Sequence, residues 1–318
     1  MSSFEERVRN ALARVIDPEL AKPITELGMV GAIQGSELSG TVEIKLTVSY
    51  CPYQDQLKTE VEHALNQEFS EGKVSVSLTA MTKAELDDLK LKLRGPKKTN
   101  PFGPGTSTRV ILVSSGKGGV GKSSLTTNLA VAAARQGLSV GILDADVYGH
   151  SIPRQLGLIG QRPTAIDDMF IPLENYGVKC VSMEMFKPDR AEAVAYRGPI
   201  LHKVLSQLLT DAFWGDLDFL FLDLPPGTGD LAISLGQLIP ASELIVVTTP
   251  QVAAAEVAER SGRIAHQLKQ QIVGVIENMS AFPCPKCGEK IELFGNGGGE
   301  ATAARLSQLV GADVPVLG

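Results

Sequence analysis

Apolar residues are spaced in two different rhythms along this chain. Phe4, Val8, Leu12 and Val15 recur every three or four positions, which predicts an amphipathic first helix. Asp17-Pro18 is expected to end it, because the residue before a proline is driven out of the helical region. Over residues 41–49 the pattern becomes strict alternation, with Val42, Ile44, Leu46 and Val48 on one face and Glu43, Lys45 and Thr47 on the other. That is a strand with one wet face. Leu57, Val61, Leu65 and Phe69 form a second helical stripe, and Val74, Val76 and Leu78 a second alternating strand. A helix over about Lys83–Arg94 closes the series, so residues 1–94 read as a small α+β domain.

From residue 109 onward the rhythm differs. Positions 110–113, 219–222 and 244–247 are continuous apolar runs, the mark of strands covered on both faces of a parallel sheet. Further strands are predicted at 139–143 and 272–276, with helical patterns at 124–136, 201–213, 231–239 and 253–270. This predicts an α/β fold, a doubly wound and mostly parallel sheet over residues 108–318, with ligands at the carboxyl ends of the strands. Residues 95–107 hold three prolines, three glycines and the pair Lys97-Lys98, and read as a flexible linker.

The strongest chemical signal follows the strand at 110–113. Gly116-Lys117-Gly118-Gly119-Val120-Gly121-Lys122-Ser123, with Ser124 after it, fits the phosphate-cradling pattern G-x-x-x-x-G-K-[ST] between a strand and a helix. Glycines let backbone N–H groups approach a polyphosphate, and the helix N-terminus adds partial positive charge. Lys122 is placed to reach the β- and γ-phosphates, and the Ser123 hydroxyl to ligate Mg²⁺. The predicted strands at 139–143 and 219–222 run into Asp144-Ala145-Asp146 and Asp223. Carboxylates at such strand ends hold a magnesium ion or orient an attacking water; Ser123, Asp144 and Asp223 form the expected magnesium set. In Pro225-Pro226-Gly227-Thr228-Gly229-Asp230, Gly227 and Gly229 would let a backbone N–H approach the γ-phosphate.

Cys284-Pro285-Lys286-Cys287-Gly288 places two thiols on one turn, as metal binding requires. No second C-x-x-C accompanies it, Cys180 lies in a strand pattern, and the four histidines lack ligand spacing. The motif is half a site, which two chains related by a two-fold axis would complete. Four thiolates suit either zinc or a 4Fe–4S cluster. Four cysteines in 318 residues are no disulfide framework, which fits a cytoplasmic protein with reduced thiols. A net charge of −6 argues against nucleic acid as a partner, and no long apolar run predicts a membrane span. The acidic start Met1-Ser2-Ser3-Phe4-Glu5-Glu6 does not read as a signal peptide.

These motifs also carry resemblances. The loop with its extra lysine resembles the deviant P-loop of the MinD/ParA/nitrogenase-iron-protein class. That implies that Lys117 reaches a partner subunit's nucleotide across a dimer interface, and that Asp146 orients the attacking water with Asp144 in support. Asp17-Pro18-Glu19-Leu20, Ile24-Thr25-Glu26-Leu27-Gly28-Met29-Val30 and Cys51-Pro52 resemble the small domain of SufT-type iron–sulfur assembly factors. The run 225–230, together with Glu277-Asn278-Met279-Ser280 and the cysteine pair, resembles the Mrp/ApbC family of iron–sulfur cluster carriers over essentially the whole chain.

The family resemblance implies a slowly hydrolysing ATPase homodimer. Asn278 would lie near the adenine, and Cys284 and Cys287 of both chains would hold one 4Fe–4S cluster for delivery to apo iron–sulfur proteins or exchange with assembly factors. Relatives continue beyond the position of Gly318, so part of the base-binding edge is expected to be missing. Three rivals bear on this expectation. A MinD-like positioning ATPase would need a membrane-binding tail, and a reductase like the nitrogenase iron protein would use two well-separated cysteines. The third is a zinc-stapled ATPase dimer without a cluster role.

Overall fold

The computed structural model describes residues 3–36, 38–48, 53–70, 73–95, 100–146, 149, 151–186, 198–227, 230–251 and 262–318. Cys51, Lys97, Lys98, Thr228, Gly229 and the first half of the helix expected at 253–270 lie outside the described residues. The chain forms two compact units, one from Met1–Lys98 and Pro163–Ile171, the other from Thr99–Arg162 and Pro172–Gly318.

In the first unit α1 (Phe4–Leu12) opens with a capping box, in which Ser3 Oγ accepts from the Glu6 N–H while the Glu6 carboxylate accepts from the Ser3 N–H. The helix stops before Asp17-Pro18 could end it. Asp17 instead turns the chain, its Oδ1 accepting from the N–H groups of Glu19 and Leu20, while burial pushes its carboxyl above the ordinary range. β1 (Val30–Gly35) pairs antiparallel with β2 (Ser39–Leu46), and β2 pairs parallel with β3 (Lys73–Ala80) across α2 (Gln54–Glu68). Val8, Leu12, Val42, Ile44, Leu57 and Val61 are all at most 1% exposed, so the helical stripes and the alternating face of β2 share one core. The alternation fails at the strand end: β2 stops at Leu46, and Thr47 is buried as well. α3 (Lys83–Arg94) has the expected bounds and a second capping box, Thr82 with Glu85.

A hairpin from further along the chain completes this unit. Thr164–Ile166 pairs antiparallel with Met169–Ile171, and Ile166, Met169, Phe170 and Ile171 are buried. A lone two-stranded hairpin is marginal in water. Burying these four side chains, at about 1.5–3 kcal/mol each, is what makes it stable.

The second unit is built on a seven-stranded sheet in the order β12-β11-β4-β10-β5-β9-β8. Its strands are β4 (Arg109–Ser115), β5 (Val140–Asp144), β8 (Leu173–Asn175), β9 (Val178–Ser182), β10 (Phe219–Asp223), β11 (Glu243–Thr248) and β12 (Gln271–Glu277), the hairpin strands being β6 and β7. Neighbours are parallel except for β8 against β9, as expected for a doubly wound, mostly parallel sheet. The helices are α4 (Lys122–Arg135), α5 (Ile152–Gln155), α6 (Gly198–Thr210), α7 (Asp230–Leu238) and α8 (Gly298–Val310), and residues 262–267 are also helical. Six of the seven residues of β4 are buried, because both faces of this central strand are covered. Cys180 is fully buried in β9, as its strand pattern predicts. Among the described residues no helix is long and apolar enough to cross a membrane.

The linker expectation needs a correction. Phe102 is 1% exposed and packs edge-on against Trp214 at 6.0 Å, and Asn100 Nδ2 donates to the Leu238 carbonyl at 2.7 Å. A single aromatic among prolines and glycines supplies enough apolar area to dock a segment whose composition reads as loose.

Candidate functional site

Three parallel strands, β4, β5 and β10, end side by side, and the candidate chemistry sits on those ends. The register pairs Asp223 with Val113 on one side and with Asp144 on the other, so two carboxylates enter the same buried layer just beneath the phosphate loop. Both are completely buried. Asp223 accepts three side-chain contacts from α4, from Lys122 Nζ at 2.7 Å, Ser123 Oγ at 2.5 Å and Thr126 Oγ1 at 3.0 Å. Asp144 has weaker partners: the Asp146 N–H donates to its Oδ1 at 3.2 Å and Ser182 Oγ to its Oδ2 at 3.3 Å. Burial first, and the neighbouring Asp223 charge second, push the Asp144 carboxyl up to about 8.

The loop above is shaped by two glycines with left-handed backbones, Gly119 (φ +79°) and Gly121 (φ +82°). Gly121 is also the N-cap of α4, so the loop leads directly into a helix N-terminus. A Cβ at Gly121 would stand 2.3 Å from Asn278 Nδ2. The same Nδ2 donates to the Val120 carbonyl at 2.9 Å, so Asn278, just past β12, ties down the back of the loop. Lys117, Gly118, Gly119, Val120, Gly121, Lys122, Ser123, Ser124 and Asp146 line one open cleft of about 260 Å³. Gly116 precedes them, directly after the last residue of β4. Asp146 Oδ1 accepts from the Gly149 N–H at 3.0 Å, which holds the carboxylate in a tight turn at the cleft. The Gly227 N–H, expected to approach a γ-phosphate, donates here to the Ser115 carbonyl at 2.9 Å.

Sequence reasoning missed several groups. Thr126 lies one helical turn after Lys122, a spacing that brings it back to Asp223, and that periodicity was the available signal. Gln251, three residues past β11, accepts from Lys117 Nζ at 2.6 Å; nothing in the sequence distinguishes it from any other loop glutamine. Ser151 and Gln155 complete the cleft wall from α5 and the residue before it.

The donor set suits a divalent cation. Two buried carboxylates lie on adjacent strands with one ammonium, that of Lys122, paired to Asp223, and the hydroxyl of Ser123 adds a hard oxygen beside Asp223. Mg²⁺ binds through one or two carboxylates together with substrate phosphates rather than in an all-protein cage. Ser123, Asp223 and Asp144 would hold it, and it would neutralise phosphate charge there.

Cys284 and Cys287 do not join this cleft. β13 (Phe282–Pro283) and β14 (Lys290–Ile291) form a small antiparallel hairpin that presents both cysteines. The Cys284 N–H donates to the Glu289 carbonyl and the Gly288 N–H to the Cys284 carbonyl, both at 2.8 Å, and Gly288 takes φ +77° to close the turn. The backbone N–H of Cys287, then that of Lys286, then the Cys287 thiol stabilise the Cys284 thiolate and lower its pKa. Cys284 is half-buried and Cys287 exposed. Among the described residues, no group of three or more His, Cys, Asp or Glu is arranged to hold a metal. Met279, Phe282, Ile291, Leu293 and Phe294, on or near the hairpin, are 41–66% exposed.

Comparison with known proteins agrees with both halves of the chain. Residues 106–317 match the family described as "NUBPL iron-transfer P-loop NTPase", and residues 5–78 match "Iron-sulfur cluster assembly protein". The chain is 52% identical over 315 residues to the "Iron-sulfur cluster carrier protein" of Mycobacterium tuberculosis, covering 98% of this chain and 82% of that one. It is 40% identical over 319 residues to the protein of the same name from Deinococcus radiodurans, covering 99% and 84%. Among solved structures, a nucleotide-binding protein from Archaeoglobus fulgidus in complex with ADP superposes with a TM-score of 0.55 at 36% identity, covering 65% of this chain and 79% of that one. With a P-loop over buried aspartates, a hairpin bearing two cysteines and these full-length relatives, the chain belongs to the iron–sulfur cluster carrier P-loop NTPases.

Proposed function

We propose that this protein is an ATP-binding, slowly hydrolysing homodimer that carries one 4Fe–4S cluster between Cys284 and Cys287 of two chains and delivers it to apo iron–sulfur proteins. The cysteine hairpin carries this reading. It offers two thiols on one turn, one of them with its pKa lowered by backbone N–H groups, and no third ligand among the described residues. A cluster of this type takes four thiolates, so a second chain must supply the rest. The exposed apolar side chains near the hairpin fit burial by that second copy.

At the other site the proposed roles follow from position. Lys122 charge-pairs the β- and γ-phosphates, exchanging its contact with Asp223 for them. Asp146 orients the attacking water from the cleft wall. Lys117 leaves Gln251 to reach the nucleotide of the partner chain. Asn278 lies near the adenine: one Nδ2 hydrogen goes to the Val120 carbonyl, and Oδ1 can accept from an exocyclic amino group. The ADP complex of the Archaeoglobus fulgidus protein supports an adenine nucleotide. We further propose that residues 1–94 act as an iron–sulfur assembly module joined through 95–107 to the ATPase domain at 108–318.

A second reading, a zinc-stapled ATPase dimer that acts as a switch, draws on the same hairpin, because N–H donation to sulfur serves zinc equally well. Metal analysis and a visible spectrum after anaerobic purification separate the two. The proposal expects iron with a broad thiolate-to-iron band. A colourless protein with about one zinc per two chains would overturn it.

A further inference from the structure

The two oxygens of Asp223 are not equivalent. Oδ1 accepts from Lys122 Nζ at 2.7 Å and from Thr126 Oγ1 at 3.0 Å, whereas Oδ2 accepts from Ser123 Oγ at 2.5 Å. An ionised carboxylate offers about two acceptor positions on each oxygen. Two donors therefore fill Oδ1, and a position on Oδ2 stays open beside the Ser123 hydroxyl. The pattern comes from α4. Lys122 and Thr126 are one helical turn apart, so both reach the same oxygen, while Ser123 sits one step round the helix and reaches the other.

Thr126 is completely buried, as is Asp223. Its Oγ1 also lies 2.9 Å from the Lys122 carbonyl, and a hydroxyl has a single hydrogen to give. That carbonyl already receives the Thr126 backbone N–H within the helix. The carboxylate is charged and forms the stronger bond, so the hydrogen goes to Asp223. Thr127 is the useful contrast: its Oγ1 makes the same backbone bond, to the Ser123 carbonyl at 2.9 Å, with no carboxylate as second acceptor.

We propose that Thr126 is a positioning residue for the magnesium site. It pins Asp223 Oδ1, so that Oδ2 stays turned to the cation or to a water bound to it. The proposal rests on the reading of the cleft as a magnesium–nucleotide site, in which Lys122 exchanges Asp223 for the β- and γ-phosphates. Once that ammonium leaves, Thr126 is the donor that remains on Oδ1. Without it the carboxylate is free to rotate about its last side-chain bond, and its open position no longer stays beside Ser123. Thr126 does not line the cleft itself, so its loss should fall on the metal-dependent part of nucleotide binding.

The test is a calorimetric titration of the full chain with a non-hydrolysable ATP analogue, in Mg²⁺ and again in chelator, with the ratio of the two Kd values as readout. Wild type should bind more tightly in Mg²⁺. Thr126→Val, which keeps the shape and removes the hydroxyl, should hold the chelator Kd within about twofold and lose about tenfold of the Mg²⁺ enhancement. Thr126→Ala, which leaves room in place of a misplaced methyl, should give the same reduced ratio, and Thr126→Ser should restore it. Thr127→Val should keep the wild-type ratio. With Mn²⁺ in place of Mg²⁺, the electron paramagnetic resonance spectrum of the analogue complex should change in Thr126→Val and not in Thr127→Val. A wild-type ratio in both Thr126→Val and Thr126→Ala would overturn the proposal while leaving the nucleotide reading intact. So would an equal loss in Mg²⁺ and in chelator, which marks a merely structural role. No binding of the analogue to wild type in either condition would overturn both.

Discussion

The phosphate loop and the cysteine hairpin stand at opposite extremes of completeness. Beneath the loop, Lys122 and Asp223 are buried and engaged within one chain: Asp223 holds Lys122, Ser123 and Thr126, and Asn278 braces the Val120 carbonyl. At the hairpin the two cysteines are partly or fully open to solvent, with backbone N–H groups as their partners and exposed apolar side chains nearby. A site that is closed within a chain can bind its ligand alone. A site with half its ligands, on an exposed apolar ribbon, is in the proposed function completed by another copy. In the proposed function this contrast separates nucleotide binding from cluster carriage: the first site is pre-organised, the second would be completed by another copy.

The sharpest way to break the first half of that contrast is Lys122→Ala. It removes the charge proposed to pair the phosphates and leaves the Asp223 carboxylate buried without its counter-ion. Analogue binding should weaken by about 2–5 kcal/mol in a calorimetric titration, and the melting temperature should fall because an unpaired buried charge is costly. Unchanged affinity would remove Lys122 from the site. Next in size is Asp146→Ala, which should keep nucleotide binding but lower turnover by about 10²-fold or more, as expected for a group acting mainly in the transition state. Turnover at the wild-type rate would assign the water to another residue.

Asp144 gives a smaller effect with a definite sign. Its folded-state pKa, about 8, lies above its ordinary 3.8, so the native protein binds a proton that the unfolded chain releases. Without Mg²⁺, that group's contribution is fully present at low pH and is lost progressively as pH rises from about 4 towards 8. Asp144→Asn should therefore stabilise the metal-free protein at pH 7.5, on the order of a few kcal/mol, with the gain shrinking as pH falls towards 4. Denaturant melts at several pH values in chelator measure it, and a pH-independent difference would contradict the origin assigned here.

Legibility in the sequence followed the same division. The phosphate loop, both aspartate strand ends and the parallel core were visible because each rests on local spacing: glycines around a lysine, and apolar runs ending in Asp223 or Asp144. The three-residue strands of the 164–171 hairpin are too short for any periodicity to register, and β1 carries no alternation. Phe102 was hidden by its prolines and glycines. Gln251 and the pairing of Lys90 and Arg94 with Asp167 and Asp168 depend on residues far apart in sequence, which spacing does not encode. The cysteine pair was legible as half a site, and its thiolate-stabilising backbone emerged only from the turn geometry.

The central claim is that, in the proposed function, the phosphate site binds its nucleotide within one chain and draws on the partner's Lys117 only for hydrolysis, while the cysteine site needs two chains to bind its cluster at all. Native mass and iron content, measured on the anaerobically reconstituted protein beside Cys284→Ser and Cys287→Ser, test it most directly. Wild type should carry about four irons per two chains as a dimer. Each serine variant should lose the iron and still bind the ATP analogue with wild-type affinity. About four irons on a single chain, or an intact cluster in the Cys284→Ser/Cys287→Ser double variant, would contradict the account.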